Sequence, residues 1–250
     1  MDKGAQTGYT APNPRGAGSG NTDWWGTMRL DLHIHTNRSP DSLMTPEEVI
    51  CTAQMRGLDG LALTDHNTIE GALVVRDRAP ESFTVIVGEE VASSEGEIIG
   101  LFLERPIPKR MSPEETIAAI RDQGGIVYIP HPVDRLRHEA MGRAVLERIA
   151  HLVDALEVFN SRVLIHADNV LARRLAEQYG LAMGAGSDSH VPYEIGRAYV
   201  EIGPFDSPAA FLEALRRGRV TGRMTTPLIH LTTTLTKLGR RAACRLRPPA

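Results

Sequence analysis

From Met28 onward, short apolar runs alternate with longer amphipathic stretches. The first run, Arg29-Leu-Asp-Leu-His-Ile-His35, sets Leu30, Leu32 and Ile34 against Asp31, His33 and His35, the period-two pattern of a strand with unlike faces. Thr45-Pro-Glu-Glu48 then opens a helix: Thr45 is a good N-cap, Pro46 suits the first helical position and Glu48 can close a capping box. Gly57 ends that helix, and Cys51 within it reads as a small core residue rather than a nucleophile. Strands follow over 60–64, 83–87 and 97–103, with a helix over 69–76. Ser112-Pro-Glu-Glu115 repeats the capping box on a helix stopped at Gly124 and Gly125. Strands over 126–129, 155–159, 181–185 and 198–202 then alternate with helices over 139–152, 168–179 and 207–217. About seven strands interleaved with helices over roughly 190 residues predict an α/β chain with a parallel sheet, closed or nearly closed into a barrel. The glycine patterns of the open nucleotide-binding sheets are missing.

Composition narrows the setting. Of 250 residues 42% are hydrophobic, enough for one sizeable core, and 24% are charged, which excludes wholesale disorder. No apolar run reaches the length of a membrane span, so no membrane partner is expected. Aromatic residues at 5% are too few for a single-strand stacking platform. The two cysteines, Cys51 and Cys244, make no disulfide framework and point to a reducing, cytoplasmic setting. Residues 1–27, rich in Gly, Pro, Ser and Thr and holding Trp24 and Trp25, read as a disordered leader without signal-peptide character. Nine basic and no acidic residues lie from Arg216 onward, so the net charge of −3 divides into +9 there and −12 over residues 1–215. Residues 224–250 read as a solvated basic tail, and the acidic remainder suits a protein that concentrates cations.

Five of the nine histidines (His33, His35, His66, His131 and His190) fall at or just past the C-terminal end of an expected strand. Asp31, Asp41, Asp65, Glu89, Glu90 and Asp188 accompany them. In a barrel these ends share one face, where active sites are built. His33 and His35 lie two apart, so both rings point the same way, and Asp188 and His190 repeat the spacing. Mixed imidazole and carboxylate ligation suits Zn, Mn or Fe, and the lack of thiolates argues against a structural zinc site. Each motif alone has a plainer reading: Asp65 and Asn67 could bond loop backbone, and Gly186 to His190 could be a turn. The repetition at five strand ends is what carries weight. His138, His151, His166 and His230 fall in helices or the tail and are set aside, as is the pair His166 and Asp168 at a helix start.

Taken together these motifs resemble the PHP family, named for polymerase and histidinol phosphatase. They are Asp31-Leu-His33-Ile-His35-Thr with Ser39-Pro-Asp41-Ser, Leu63-Thr-Asp65-His66-Asn67, Gly88-Glu-Glu90, Pro130-His131-Pro132 and Gly186-Ser-Asp188-Ser-His190, in family order over residues 28–223. The resemblance implies a distorted, TIM-like (β/α)7 barrel of the PHP type, two or three divalent metal ions (Mn, Zn or Fe) and phosphoester hydrolysis. It matches His33, His35, Glu90 and Asp188 to ligands of the inner metals, His131 to a ligand of the second, Asp41 and His66 to the third position, and His190 to the residue that closes the site. Asp65 and His190 are expected to position groups or move protons there. Many members carry His in the strand after the Gly-x-Glu motif; this chain has Glu97, which is expected to replace that ligand.

In such a site hydroxide attacks phosphorus in line, with two metals about 3.5–4 Å apart holding it and stabilising the leaving oxygen. Arginine forks suit the non-bridging oxygens, and the candidates are Arg162 and Arg197, then Arg135 and Arg38. The expected substrate is a small phosphorylated metabolite or nucleotide. Histidinol phosphate and short oligonucleotides cleaved 5' to 3' are the enzymatic alternatives; a metal-stabilised scaffold is the non-enzymatic one. Only 56 residues separate His131 from Asp188, too few for the inserted domain of the family's nucleotide-bisphosphate phosphatases. A carboxylated-lysine amidohydrolase is disfavoured, because Lys3, Lys109 and Lys237 all lie away from core strand ends. Nothing in the sequence sets an oligomeric state.

Overall fold

The computed structural model describes residues 26–226; the leader through Trp25 and the tail from 227, with His230 and Cys244, lie outside the described residues. The elements run β1 (Met28–Ile34), α1 (Pro46–Met55), β2 (Gly60–Leu63), α2 (Glu70–Arg78), β3 (Thr84–Ser93), β4 (Gly96–Leu101), α3 (Pro113–Arg121), β5 (Ile126–Ile129), α4 (Arg143–Ile149), β6 (Ala155–Asn160), α5 (His166–Tyr179), β7 (Ala182–Gly186), β8 (Ala198–Ile202), α6 (Pro208–Arg216) and β9 (Arg219–Gly222). Both expected capping boxes form, on Thr45 with Glu48 and on Ser112 with Glu115.

The nine strands hydrogen-bond in the order β7-β6-β5-β4-β3-β2-β1-β8-β9. The sheet then curls until the segment after β7 meets β1: His35 N donates to Ser189 O (3.0 Å) and Asp188 N to His33 O (2.8 Å). The result is a nearly closed α/β barrel. The parallel sheet expected from the alternation needs correction in part: β1–β2, β2–β3, β5–β6 and β6–β7 pair parallel, but β3–β4, β4–β5, β1–β8 and β8–β9 pair antiparallel. Only Ser94 and Glu95 link β3 to β4, far too short for a crossover, so the chain makes a hairpin. This reversal places the start of β4, with Glu97, at the end of the barrel where the parallel strands finish.

Helices pack outside the sheet. Val49 and Ala53 of α1, Val75 of α2, Ile120 of α3 and Leu175 of α5 join Leu61, Leu63 and Val87 in one buried cluster. A second cluster fills the interior with Leu30, Leu32, Ile86, Ile99 and Tyr128. Phe102, Phe205 and Phe211 meet edge to face, with centroids 5.1–6.2 Å apart, and plug the end away from Glu97.

β1 carries an irregularity that its sequence conceals. Asp31 is in register with Leu61 and Ile34 with Leu63, so three steps on β1 match two on β2. That is a bulge, and it breaks the strict alternation expected for this strand. Leu30 and Leu32 face the interior and Ile34 the helices. Asp31 faces outward, accepting from Ser187 N (2.8 Å) and Gly196 N (2.9 Å). The extra residue brings His33 inward beside His35.

Two further expectations are corrected. The helix placed over 139–152 starts only at Arg143: Glu139 O accepts from Glu97 N (3.0 Å), and Gly142 precedes the helix at φ +76°. That segment is occupied by bonding to β4. Cys51, expected in the core, is exposed, because α1 buries Val49, Thr52 and Ala53 instead.

Candidate metal centre

Nine side chains from six parts of the barrel meet at its open end. His33 and His35 leave β1, and Asp41 lies on the loop after it; His66 follows β2, Glu90 lies on β3, Glu97 begins β4, His131 follows β5, and Asp188 with His190 follows β7. All are buried except His66, which is partly exposed. The cluster thus holds five imidazoles and four carboxylates.

The ligand atoms converge. His33 Nε2 and His35 Nε2 lie 3.1 Å apart, and Glu90 Oε2 is 3.4 Å from each. Asp188 Oδ1 stands 3.7 Å from His33 Nε2 and 3.4 Å from His35 Nε2. Glu90 Oε1 lies 3.0 Å from His131 Nε2, and Glu97 reaches His66 Nδ1 (3.4 Å) and His131 Nε2 (3.6 Å). Asp41 Oδ2 faces His66 Nε2 (3.5 Å) and His190 Nε2 (3.2 Å). Four overlapping triads result: His33, His35, Glu90; His33, His131, Asp188; His66, Glu90, Glu97; and His35, His66, His190. Glu90 Oε2 and Asp188 Oδ1 are fully buried, yet neither accepts a hydrogen bond from the ring nitrogens around it. A buried acceptor without a donor is costly, and a divalent cation is the partner this donor set fits.

The surroundings fix which nitrogens point inward. Glu157 Oε1 lies 3.1 Å from His33 Nδ1, so that nitrogen carries the proton and Nε2 keeps its lone pair for the centre. Ser39 Oγ lies 3.1 Å from His35 Nδ1 and donates its own proton to Asp65 (2.7 Å). Asp65 therefore acts on His35 through Ser39, and also holds the Thr36 hydroxyl (2.6 Å) and amide (2.7 Å). Glu194 accepts from His190 N (2.9 Å). Gly186 is required by this packing, since a Cβ there would collide with His33 and Glu157.

Charge follows the same design. Burial, with repulsion from His190 and His66, pushes His35 down to about 3, so its ring is neutral. Burial pushes Asp188 up, but the Arg137 guanidinium beside it overcomes this and holds the carboxyl well below its usual range. Burial and neighbouring Glu90 raise Glu97 to about 8. Too many carboxylates share too little positive charge at this corner, as a cation position requires.

The four candidate arginines separate. Arg162 is buried against His190, with NH1 3.4 Å from Asp188 O and Nε 3.4 Å from Glu194. Arg197 lies over the Tyr193 ring (4.1 Å) and donates to Met224 O (3.2 Å). Arg135 is taken up by Asp168 (2.6 Å), which also accounts for that aspartate, and exposed Arg38 faces Glu70 (3.7 Å). Neither of the last two is brought to the cluster by its ion pair. Sequence reasoning missed Arg137, whose NH2 donates to Asp188 Oδ2 at 2.6 Å. It lies two residues from Arg135 on the same loop, and nothing in the sequence separates them. Also missed was Glu157, which had a signal: an acid inside the apolar strand Ala155-Leu-Glu-Val-Phe159.

Residues 166–220 match the PHP-associated family. An uncharacterized protein of Methanocaldococcus jannaschii is 40% identical over 156 residues, which is 58% of this chain and 86% of that protein. A probable phosphatase of Caldicellulosiruptor saccharolyticus is 26% identical over 204 residues, covering 69% of this chain and 84% of its own. Among solved structures, a two-domain protein from Bacteroides vulgatus containing a predicted PHP-like metal-dependent phosphoesterase superposes with TM-score 0.66 at 20% identity, covering 86% of this chain and 70% of its own. With the barrel, the converging histidines and carboxylates and these similarities in hand, the chain belongs to the PHP family.

Proposed function

We propose that the protein is a metal-dependent phosphoesterase acting on a phosphomonoester of a small metabolite or nucleotide. The observation that carries this reading is the overlap of the four triads through His33, His35, His66 and Glu90. Adjacent cation positions sharing a carboxylate are what in-line displacement at phosphorus uses. Divalent ions bound there would supply an acidified water and positive charge for the phosphoryl group. The chain's own residues do the rest. Glu157 and Ser39 hold the His33 and His35 rings with their Nε2 lone pairs turned inward. Arg137 and Arg162 are the guanidinium groups that reach the cluster, and they are suited to non-bridging oxygens. Arg137 also keeps Asp188 ionised. His190, with Nδ1 2.8 Å from Asp188 O, turns Nε2 toward Asp41 and is suited to proton transfer at the leaving oxygen. The likeness to a probable phosphatase supports the same chemistry.

The test is reconstitution with Mn, Zn or Fe, elemental analysis, and phosphate release from a panel of phosphomonoesters and short 5'-phosphorylated oligonucleotides. Two or more equivalents and release from a monoester are expected, with both lost in folded His33→Ala and Asp188→Ala. Less than one equivalent, or a fully loaded protein inert on the whole panel, would sink the reading.

A further inference from the structure

The four triads of the centre differ in their chemistry. His33, His35 and Glu90, like His33, His131 and Asp188, offer two imidazoles and one carboxylate, while His35, His66 and His190 offer imidazoles alone. His66, Glu90 and Glu97 reverse the balance, with two carboxylates and one imidazole, the one such triad among the described residues. The reversal comes from Glu97, the residue at which this chain departs from the family pattern. Its Oε1 lies 3.4 Å from His66 Nδ1 and its Oε2 3.6 Å from His131 Nε2, while Glu90 Oε2 stands 3.1 Å from His66 Nδ1.

This corner is rigidly built and more open than the rest. The backbones of His66 and Glu90 form a β-bridge, with Asn67 N donating to Glu90 O (3.0 Å) and Glu90 N to Asp65 O (3.1 Å). Asn67 Oδ1 accepts from Ala92 N (3.0 Å), and Ala92 is the register partner of Glu97. All three ligands therefore stand on paired backbone. The His66 side chain is 17% exposed and that of Glu97 8%, whereas His33, His35 and His131 are sealed at 0%. Water has access to a cation at the corner and little to one in the interior.

Carboxylate oxygens with room for water suit manganese, which takes octahedral oxygen-rich shells; imidazoles in a dry setting suit zinc, which is content with four ligands. We propose that the centre sorts its cations: the corner made by His66, Glu90 and Glu97 is a manganese-type position, and the interior around His33, His35, His131 and Asp188 is a zinc-type position. Zinc outcompetes manganese at nearly any nitrogen and oxygen site, so the sorting lies in how much of that advantage remains, full in the interior and reduced at the corner. The inference rests on the cation half of the proposed function and is independent of the substrate.

The experiment equilibrates the full chain with zinc and manganese over a series of ratios and locates each metal in crystals by anomalous scattering at its own absorption edge, beside elemental analysis of the same samples. In wild type the zinc-to-manganese ratio that displaces half of the manganese should be higher at the corner than in the interior. The gap should be about 10-fold or more, because even the outer partner of a ligand moves metal affinity by about 10–100-fold. Glu97→His should close the gap by bringing the corner to the interior's ratio, with the interior unchanged. Equal ratios at every position in wild type, or a corner that stays empty, overturn the proposal without recourse to a variant; a gap that survives in folded Glu97→His overturns it as well. Phosphate release from the same samples separates the two ideas. Sorted metals in a protein inert on every ester remove the phosphoesterase reading and leave the sorting. Turnover with unsorted metals removes the sorting and leaves the reading, and a protein that binds neither metal removes both.

Discussion

Replacing Glu157 with glutamine tests whether the layer behind the ligands sets metal affinity. The change is isosteric, so it opens no cavity. Glu157 Oε2 accepts from His131 N (2.7 Å) and Asn160 Nδ2 (2.9 Å), while Oε1 accepts from His33 Nδ1 (3.1 Å). A backbone N–H cannot give up its proton, so the amide oxygen must take the Oε2 position. The new NH2 then faces His33 Nδ1, donor against donor. His33 relieves this by moving its proton to Nε2, the nitrogen 3.1 Å from His35 Nε2 at the heart of the cluster. The lone pair meant for a cation is then blocked. Losing the partner of a ligating imidazole costs about 10–100-fold in metal affinity, or about 1.4–2.8 kcal/mol at tenfold per 1.4 kcal/mol. Calorimetric titration of the apo Glu157→Gln protein with Mn or Zn measures it, beside thermal unfolding to verify the fold. Affinity within twofold of wild type, at equal stoichiometry, would refute the argument that this carboxylate holds the His33 tautomer.

Gly186→Ala should drive a methyl group into His33 and Glu157, lowering the unfolding temperature and metal content together; a melt unchanged from wild type would contradict the packing. Glu97→Gln removes a carboxylate oxygen from the triad with His66 and Glu90, so elemental analysis should find a lower metal content than in wild type. Stripping metal with a chelator should lower the unfolding temperature, since a cation at 100 times its Kd stabilises by about 2.7 kcal/mol. The packed body runs past Gly222, because Thr225 N donates to Ser161 O (2.7 Å) and Met224 O accepts from Arg197. Truncation after Thr226 should therefore leave monoester hydrolysis unchanged, whereas truncation after Arg223 should reduce it.

What the sequence made legible followed from local chemistry. The capping boxes at Thr45 and Ser112 could be read because every participant lies within three residues. The strand-end histidines could be read because each follows an apolar run. What stayed hidden depended on distant partners or on parity. Arg135 and Arg137 look alike until Asp168 claims one and Asp188 the other, partners 33 and 51 residues away. Leu-Asp-Leu-His-Ile-His reads as perfect alternation, and only pairing with β2 reveals the extra residue that turns Asp31 out and His33 in. The helix placed over 139–152 was too long because Glu139 is used by β4, about 40 residues earlier in the chain. Cys51 was misplaced by judging residue type instead of helix face.

The β3–β4 hairpin and the closure of β1 against the segment after β7 differ in what they ask of a folding chain. Glu90 and Glu97 lie seven residues apart on adjacent strands and can find each other early, because a short loop costs little entropy to close. His35 and Ser189 are 154 residues apart, so their pairing belongs to the last stage of assembly. The half of the centre built on the hairpin can therefore exist before the barrel does, whereas Asp188 reaches His33 and His35 only when the barrel shuts. A cation spanning both halves would bind the closed barrel far more strongly than any precursor, and so would act as its clasp: loaded protein should unfold slowly from a seam that opens first in metal-free protein.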